Sequence, residues 1–250
     1  HVSLRDDCAS RGSEIEVGVL SLGIQELDRG LGGGIPYPSL ISLEGGHGTG
    51  KTVFTQQIIH SMLNNGLRVC LVSSETTVKE YLSMMGSIKL DATSSYLSGQ
   101  LDVYPLHVEG GRWSEFLSSF FLKVTANFLE MKKKRYDAII IDSLSILTVD
   151  TAPHEFLTFI TRLKNIVSDG KTIIVTFHPK FLTEESIMKL RASSDVYFIL
   201  QNDTISGMDV KILKIVKLWG SEGVERKSAI TLEVNPAIGL RVMPIGGVKI

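Results

Sequence analysis

A glycine-rich segment near residue 50 carries the residue types that bind a phosphate chain. Gly45, four further residues, and then Gly50, Lys51 and Thr52 satisfy the P-loop pattern G-x-x-x-x-G-K-[ST]. In such a loop backbone N–H groups converge on phosphate oxygens, the lysine reaches the β- and γ-phosphates, and the threonine hydroxyl ligates Mg²⁺. The alternative is an ordinary glycine-rich turn. The candidate nucleotide-binding residues are Gly45, Gly46, His47, Gly48, Thr49, Gly50, Lys51 and Thr52.

An acidic residue follows a short apolar run further along the chain. The segment YDAIIIDSLS places Asp142 after four apolar residues, as at the end of a buried strand. Ligands of open α/β sheets bind at the carboxyl ends of the strands. We therefore expect Asp142 to hold Mg²⁺ together with Thr52, through a water molecule. The alternative, that Asp142 only caps the following turn, remains open.

Two histidines lie near the same predicted phosphate site. His178, in the segment TFHP, ends the last predicted parallel strand, where its ring can donate a hydrogen bond to a γ-phosphate. A structural histidine whose hydrogen bonds are satisfied by the protein is an equally good interpretation. His47 lies inside the P-loop, and we expect it to pack or to contact a partner rather than to take part in chemistry.

These residues need a fold that brings several strand ends together. Apolar runs rich in β-formers alternate five times with amphipathic stretches: strand 39–45, helix 51–65, strand 68–74, helix 77–86, strand 101–106, helix 114–131, strand 138–145, helix 155–168, strand 172–178 and helix 183–192. Continuous apolar runs are typical of a parallel sheet covered on both faces. The pattern predicts an α/β fold with a mostly parallel central sheet flanked by helices.

The pattern changes from residue 195 onwards. Three long runs, DVYFILQND, DVKILKIVKLW and AITLEVNPAIGLRVMPI, follow one another without an intervening helix. We expect them to be antiparallel strands that extend one edge of the sheet. No linker divides the chain, so residues 18–250 are predicted to form one domain, preceded by a flexible arm over residues 1–17.

Composition limits the class of protein. The 250 residues include 26 basic and 27 acidic residues, a formal net charge of −1, so no global positive field attracts nucleic acid or an anionic membrane. Two cysteines, Cys8 and Cys70, are too few for a disulfide framework. No apolar run reaches the roughly 18 residues of a membrane span. We expect a cytoplasmic protein that binds no nucleic acid.

The segment from Gly18 to Thr52, GVLSLGIQELDRGLGGGIPYPSLISLEGGHGTGKT, resembles the opening of KaiC-like and RadA-like members of the RecA superfamily. More narrowly, GGIPYPS, GGHGTGKT and SSETTVKEYL resemble the FlaH family, the ATP-binding accessory proteins of the archaeal flagellar (archaellum) motor. The resemblance implies a RecA-like P-loop NTPase core, ATP as ligand and a hexamer as one oligomeric state. It also implies two partners, the motor ATPase FlaI and the membrane-associated scaffold FlaX, which would place the chain at the membrane indirectly.

The same resemblance directs attention to Glu75. KaiC-like enzymes place a water-orienting carboxylate after the strand that follows the P-loop helix, commonly as a Glu-Glu pair, and this chain has Ser74-Glu75 there. Glu75 is thus the candidate catalytic residue, which would orient the attacking water. The alternative is that Glu75 only begins the next helix, where its negative charge is favourable.

A second departure from the family pattern concerns hydrolysis. KaiC-like hexamers carry a strand ending in K-L-R-G-T, whose Lys and Arg reach the γ-phosphate of the neighbouring subunit, whereas residues 217–221 read KLWGS with Trp219 at the arginine position. An arginine finger contributes on the order of 10³ to 10⁵ in kcat, and an indole cannot replace it. We expect ATP binding with slow or partner-dependent hydrolysis that gates assembly and binding to the motor ATPase.

Two other functions remain open. A RadA-like recombinase needs basic or glycine-rich DNA-binding loops, but LTVDTAP and HPKFLTEES carry one lysine against three carboxylates. A KaiC-like signalling ATPase or autokinase fits the N-terminal pattern, although this chain has one core rather than a tandem pair. The basic run MKKKRYD, residues 131–137, is interpreted as a solvated helix end.

Overall fold

The computed structural model describes residues 17–106, 115–149, 151–205, 207–219, 227–235 and 237–243, so most of the predicted N-terminal arm lies outside the described residues. The strands are β1 (Gly18–Leu20), β2 (Ile35–Tyr37), β3 (Leu40–Gly45), β4 (Val69–Ser73), β5 (Leu101–Pro105), β6 (Ala138–Asp142), β7 (Thr172–Phe177), β8 (Val196–Ile205), β9 (Met208–Leu218), β10 (Ala229–Asn235) and β11 (Gly239–Val242). The α-helices are α1 (Gln25–Gly30), α2 (Lys51–Asn64), α3 (Val78–Ser87), α4 (Thr93–Leu97), α5 (Glu115–Lys132), α6 (Pro153–Ser168) and α7 (Glu184–Ser193).

Parallel strands form the centre of a nine-stranded sheet, as the apolar runs predict. Across the described residues the strand order is β11-β10-β9-β8-β3-β7-β6-β4-β5, and the strands from β8 to β5 all run in the same direction. β7 lies between β3, which leads into the P-loop, and β6, which ends in Asp142. The carboxyl ends of these three strands therefore meet at one edge of the sheet.

The C-terminal strands extend the sheet, but two details of the prediction are wrong. β8 pairs in parallel with β3, from Ile41 opposite Val196 to Gly45 opposite Leu200, because α7 returns the chain to the amino edge before β8 begins. β7 is therefore not the last parallel strand. The final run forms two strands, β10 and β11, because the chain reverses before Gly239, whose φ is 86°. The antiparallel pairing of β9 with β8 and with β10 is as expected.

Each face of the sheet is covered by helices over a hydrophobic core. α2 and α3 cover one face, and α5, α6 and α7 cover the other. Ile140 of β6 is buried under the first pair of helices, while its neighbour Ile141 is buried under the second group. Successive side chains of a strand point to opposite faces, so burial on both faces requires a continuous apolar run.

The longer helices confirm the predicted amphipathic stretches. α5 ends at Lys132, within the basic run that the sequence interprets as a helix end. Among the helices of the described residues, none combines the length and apolarity needed to cross a bilayer.

Several short elements were not predicted. β1 and β2 form a separate antiparallel pair, and α1 and α4 contain six and five residues. Elements of this length show too little periodicity for a sequence pattern to reveal them. The chain before α1 is held by Asp28, which accepts hydrogen bonds from the Ser21 hydroxyl and the Leu22 N–H, both over 2.7 Å. These contacts order the segment that leads towards the P-loop.

Candidate nucleotide-binding site

The P-loop lies between β3 and α2, as the sequence pattern predicts. β3 ends at Gly45 and α2 begins at Lys51. Gly48 and Gly50 have φ angles of 66° and 90°, in the left-handed region that favours glycine. These glycines let the chain turn sharply into α2, and the first N–H groups of a helix have no carbonyl partner within the helix. An anion can bind there.

Gly45 is required by close packing rather than by its backbone angles. A Cβ atom at this position would lie 2.5 Å from Thr49 Oγ1 and 2.9 Å from the carbonyl oxygen of Leu200. A Cβ atom at Gly46 would lie 3.8 Å from its nearest neighbours, which is an ordinary contact. The Thr49 hydroxyl also donates a hydrogen bond to the Gly46 carbonyl over 3.0 Å. The loop is thus held in its curve by its own residues and by β8.

The Lys51 ammonium binds the loop itself. Its Nζ donates hydrogen bonds to the carbonyl oxygens of Gly45 and Gly46 over 2.8 Å and 2.7 Å. Burial lowers the pKa of Lys51, while the nearby carboxylates of Asp142 and Glu75 oppose that shift. The ammonium is therefore placed where it can exchange carbonyl oxygens for phosphate oxygens, which are stronger acceptors.

Asp142 lies beside the first turn of α2. Its carboxylate accepts hydrogen bonds from the Thr52 side chain and, over 2.6 Å, from the Thr176 hydroxyl. Burial raises the pKa of this carboxyl, and the two hydroxyl groups oppose the rise. Mg²⁺ is typically bound by one or two carboxylates or hydroxyls together with phosphate oxygens and water. Asp142 and Thr52 fit that donor set, and the described residues contain no cluster of three or more His, Cys, Asp or Glu that would hold a metal alone.

Glu75 lies between β4 and α3 and lines the same cavity. Its Oε1 accepts a hydrogen bond from the Ser143 hydroxyl over 3.0 Å. α3 begins only at Val78, with Thr77 as its N-cap and a capping box between Thr77 and Glu80. The interpretation that Glu75 begins the helix is therefore wrong, because the helix start is capped by other residues.

Ser74 occupies the position where the KaiC-like pattern has a first glutamate, and it joins two strand ends. Its hydroxyl donates to the Ser143 carbonyl and accepts from the Ser143 N–H, both over 3.0 Å. Its own N–H donates to the Asp142 carbonyl over 2.9 Å, and the Asp142–Ser143 peptide bond is cis. A carboxylate can accept but cannot donate when ionised. Position 74 therefore holds the turn after Asp142 and adds no second negative charge.

His178 directly follows β7 and is buried against the P-loop. Its Nδ1 accepts a hydrogen bond from the Lys180 N–H over 3.1 Å, so the ring proton is assigned to Nε2. A Cβ atom at Gly46 would lie 3.8 Å from Nε2, which shows that this nitrogen faces the loop. The ring of His47 packs against His178 with centroids 4.6 Å apart. Burial lowers the pKa of His178, with His47 and Lys51 adding to the shift, so a neutral N–H donor faces the loop.

One open cavity of about 570 Å³ unites these side chains, a size suited to a small-molecule ligand. Residues 47–52, Glu75, Asp142 and His178 line it, while Gly45 and Gly46 contribute the carbonyls that hold Lys51. Six further described residues of the lining were not predicted from the sequence, and these are Val53, Ser145, Ile146, Phe181, Lys211 and Val234. Ser145 and Ile146 follow Asp142 closely in the chain, but no local motif marks Lys211 or Val234.

Trp219 lies at the amino ends of the parallel strands, whereas the P-loop lies at their carboxyl ends. β9 is antiparallel to β8, so its last residue Leu218 pairs with Val196, the first residue of β8. Trp219 is 62% exposed. Lys217 donates to a carbonyl in the last turn of α7 over 3.0 Å, a position that favours a cation. Residues 220–221 of this motif lie outside the described residues. Trp219 therefore lies away from the P-loop of its own chain.

Comparison with known proteins identifies relatives over nearly the whole chain. The family model described as "ATPase: KaiC" matches residues 20–246. The archaeal flagellar ATP-binding protein FlaH of Sulfolobus acidocaldarius is 38% identical over 227 residues, which cover 91% of this chain and 97% of that protein. The FlaH protein of Methanocaldococcus jannaschii is 32% identical over 235 residues, which cover 91% and 96%.

A solved structure supports the same relationship. The crystal structure of the flagellar accessory protein FlaH from Methanocaldococcus jannaschii has a TM-score of 0.80 and 29% identity, and the match covers 92% of this chain and 100% of that chain. The expected RecA-like fold is therefore confirmed, with its mostly parallel sheet and antiparallel C-terminal strands. The chain belongs to the KaiC family of ATPases and, within it, to the FlaH proteins.

Proposed function

We propose that this chain is an ATP-binding component of the archaeal flagellar motor. The observation that carries the proposal is the P-loop, in which Lys51 is held by loop carbonyls and Thr52 lies beside the buried Asp142. Relatives that are 38% and 32% identical bear the name archaeal flagellar ATP-binding protein. The site supplies the chemistry for a nucleotide, and the relatives point to its biological setting.

Each part of the site has a separate task in binding ATP. The N–H groups at the start of α2 and the Lys51 ammonium bind the β- and γ-phosphates. Thr52 and Asp142 hold Mg²⁺, which neutralises phosphate charge. The Nε2–H of His178 faces the loop and donates to the γ-phosphate, the group that ADP lacks. This last contact lets the protein distinguish the two nucleotides.

Hydrolysis is slow or depends on a partner. Glu75 is held by Ser143 and orients the attacking water. The charge that develops on the γ-phosphate needs a cation as well, and the position that carries an arginine finger in KaiC-like hexamers is Trp219 here. A site that binds ATP and holds water without this cation keeps its ligand for long periods.

Bound ATP therefore acts as a signal in this proposal. A ligand shifts an equilibrium only by its difference in affinity for the two states, and the γ-phosphate contacts of Lys51 and His178 supply that difference. The equilibria that ATP controls are formation of a hexamer and binding to the motor ATPase FlaI. The scaffold FlaX then places the chain on the cytoplasmic side of the membrane.

Calorimetric titration with ATP and Mg²⁺ tests the binding function. Lys51→Ala and Asp142→Asn are expected to weaken ATP binding about tenfold or more, because each removes a charged contact to the ligand or its metal. Lys79→Ala, on the exposed part of α3, is the matched control and should bind as the wild type does. Unchanged affinity in both site variants would refute the assignment of the site.

The gating function needs a second experiment with the motor ATPase. Binding of this chain to FlaI and its own oligomeric state are measured without nucleotide, with ADP and with ATP. We expect ATP to change at least one of the two. Identical behaviour in all three conditions would remove the gating function and leave ATP as a structural ligand. An ATP turnover rate of about ten per second, which is typical of evolved enzymes, would contradict slow hydrolysis.

A further inference from the structure

The hairpin formed by β8 and β9 extends past the edge of the sheet and lies beside the P-loop. β8 stops pairing with β3 at Leu200, opposite Gly45, but continues to pair with β9 as far as Ile205. Lys211 of β9 pairs with Asn202 of β8 in this overhanging part. The hairpin thus brings Lys211 next to the P-loop, although Lys211 follows Gly48 by 163 positions in the chain.

Lys211 makes specific contacts rather than extending into solvent. Its Nζ donates one hydrogen bond to the Gly48 carbonyl over 2.8 Å and another to Asn202 Oδ1 over 2.6 Å. The side chain also passes over Gly50, where an added Cβ atom would lie 3.8 Å from Lys211 Cγ. The lysine therefore lies beside both glycines of the loop that have left-handed backbone angles. Two fixed acceptors hold the ammonium at the outer end of the loop.

The charge of Lys211 has no carboxylate partner among the described residues. Both hydrogen-bond acceptors are uncharged amide oxygens, and in the described part of the chain no salt bridge includes Lys211. Lys51, by contrast, has the carboxylates of Asp142 and Glu75 close by. An ammonium without a counterion at the edge of a phosphate-binding cavity favours an anionic ligand.

We propose that Lys211 is a second cationic residue of the nucleotide site, which supports the P-loop through Gly48 and attracts the polyphosphate of a nucleoside di- or triphosphate. This inference rests on the proposed ATP binding. According to this inference, part of the affinity for the nucleotide comes from β9, in the antiparallel extension of the sheet and outside the P-loop motif. It also ties the overhanging hairpin to the occupancy of the loop.

Substitution of Lys211 tests the inference. Lys211→Met keeps most of the side-chain stem and removes the charge, and it is expected to weaken ATP and ADP binding about tenfold, the effect of one charge-assisted contact. Lys211→Arg keeps the charge and should stay within about threefold of the wild type. Lys214→Met is the matched control, since its odd spacing places it on the other face of β9. The loss of nucleotide affinity in Lys211→Met should be smaller at high salt, because dissolved ions screen the attraction between the ammonium and the phosphates.

The outcomes separate this inference from the proposed function. A wild type that binds no ATP would refute both. A wild type that binds ATP while Lys211→Met binds equally well would overturn only the role of Lys211, and an Arg variant as weak as the Met variant would overturn the role of its charge. Thermal unfolding curves of all variants identify any loss of fold. We expect no such loss, because this part of the hairpin is exposed.

Hydrogen exchange supplies a readout independent of affinity. At saturating ATP, the amides of residues 208–212 are expected to exchange more slowly than without nucleotide in the wild type and in Lys214→Met. In saturated Lys211→Met this protection should be absent, because the hairpin is no longer tied to the loop. Amides of β5, the edge strand farther from the hairpin, serve as the internal reference. Equal protection in the Met variant would overturn the link between the hairpin and the loop.

Discussion

Ser143 donates a hydrogen bond from its hydroxyl to the Glu75 carboxylate, with Oγ and Oε1 3.0 Å apart. The two residues are 68 positions apart in the chain and follow different strands, β6 and β4. Glu75 is exposed, so this contact rather than burial sets the direction of its carboxylate. The residue next to Asp142 thereby also positions the candidate water-orienting group.

Glu75→Gln is expected to lower any ATP turnover by about 10²-fold or more while ATP affinity changes little, because the amide keeps the shape of the side chain but loses its basicity. Turnover is measured in single-turnover experiments with radiolabelled ATP, which detect slow hydrolysis. Glu184→Gln, in the first turn of α7, is the control for loss of one surface carboxylate. Equal turnover in wild type and Glu75→Gln would exclude the catalytic role.

Ser143→Ala should lower turnover on the order of tenfold, because a carboxylate that is no longer held spends less time in the reactive geometry. If Ser143 acts through Glu75, the double variant should be no slower than Glu75→Gln alone, a non-additive result. The same single-turnover assay on all four proteins of the cycle provides the comparison. Additive losses would mean that Ser143 acts independently of Glu75.

His178 makes stability depend on pH in a definite direction. Burial places its folded-state pKa below the usual value near 6.5, so the unfolded chain binds a proton more readily than the folded chain does. The contribution of His178 to stability is therefore complete above pH 6.5 and is lost as pH falls through the folded pKa.

Thermal unfolding of wild type and His178→Gln across this range provides the measurement. The wild type should lose stability more steeply than His178→Gln as pH falls below 6.5. His154→Gln, an exposed histidine of α6, is the control and should follow the wild-type curve. Parallel curves for wild type and His178→Gln would contradict the proposed burial of a neutral ring.

Trp219→Arg is expected to raise ATP turnover. The upper limit of the rise is the contribution of an arginine finger to kcat, which is on the order of 10³- to 10⁵-fold. The rise should occur only at protein concentrations where the chain associates, because Trp219 cannot reach the P-loop of its own chain. Trp219→Ala is the control that removes the indole without adding a cation. If both variants hydrolyse ATP equally, position 219 does not face a neighbour's γ-phosphate.

The parallel core and the phosphate loop were predictable from the sequence because both depend on local patterns. The apolar run before Asp142 reflects burial on both faces of β6, and the glycines at 48 and 50 reflect backbone angles that other residues avoid. These signals lie within a few residues of the feature that they describe. Burial and backbone sterics therefore restrict the residue types at these positions, and the restriction is visible in the sequence.

The remaining features depend on contacts between distant segments, which no local pattern encodes. The hydrogen bond from Lys211 to Gly48 joins residues 163 positions apart and requires β8 to run parallel to β3. The role of Ser74 depends on a partner 69 positions away. A serine in that place indicates the loss of a carboxylate, but only the folded turn shows what the hydroxyl binds.

The position of Trp219 at the sheet edge opposite the P-loop has a consequence for assembly. A contact between copies that brings Trp219 to a neighbour's nucleotide uses different surfaces on the two copies, so it is heterologous, with a head and a tail. Repetition of such a contact either closes into a ring or continues as an open filament. Each bound nucleotide then lies at a junction between subunits. A chain altered only at its tail should still accept a neighbour at its head, so a mixture with wild type would produce short, capped assemblies.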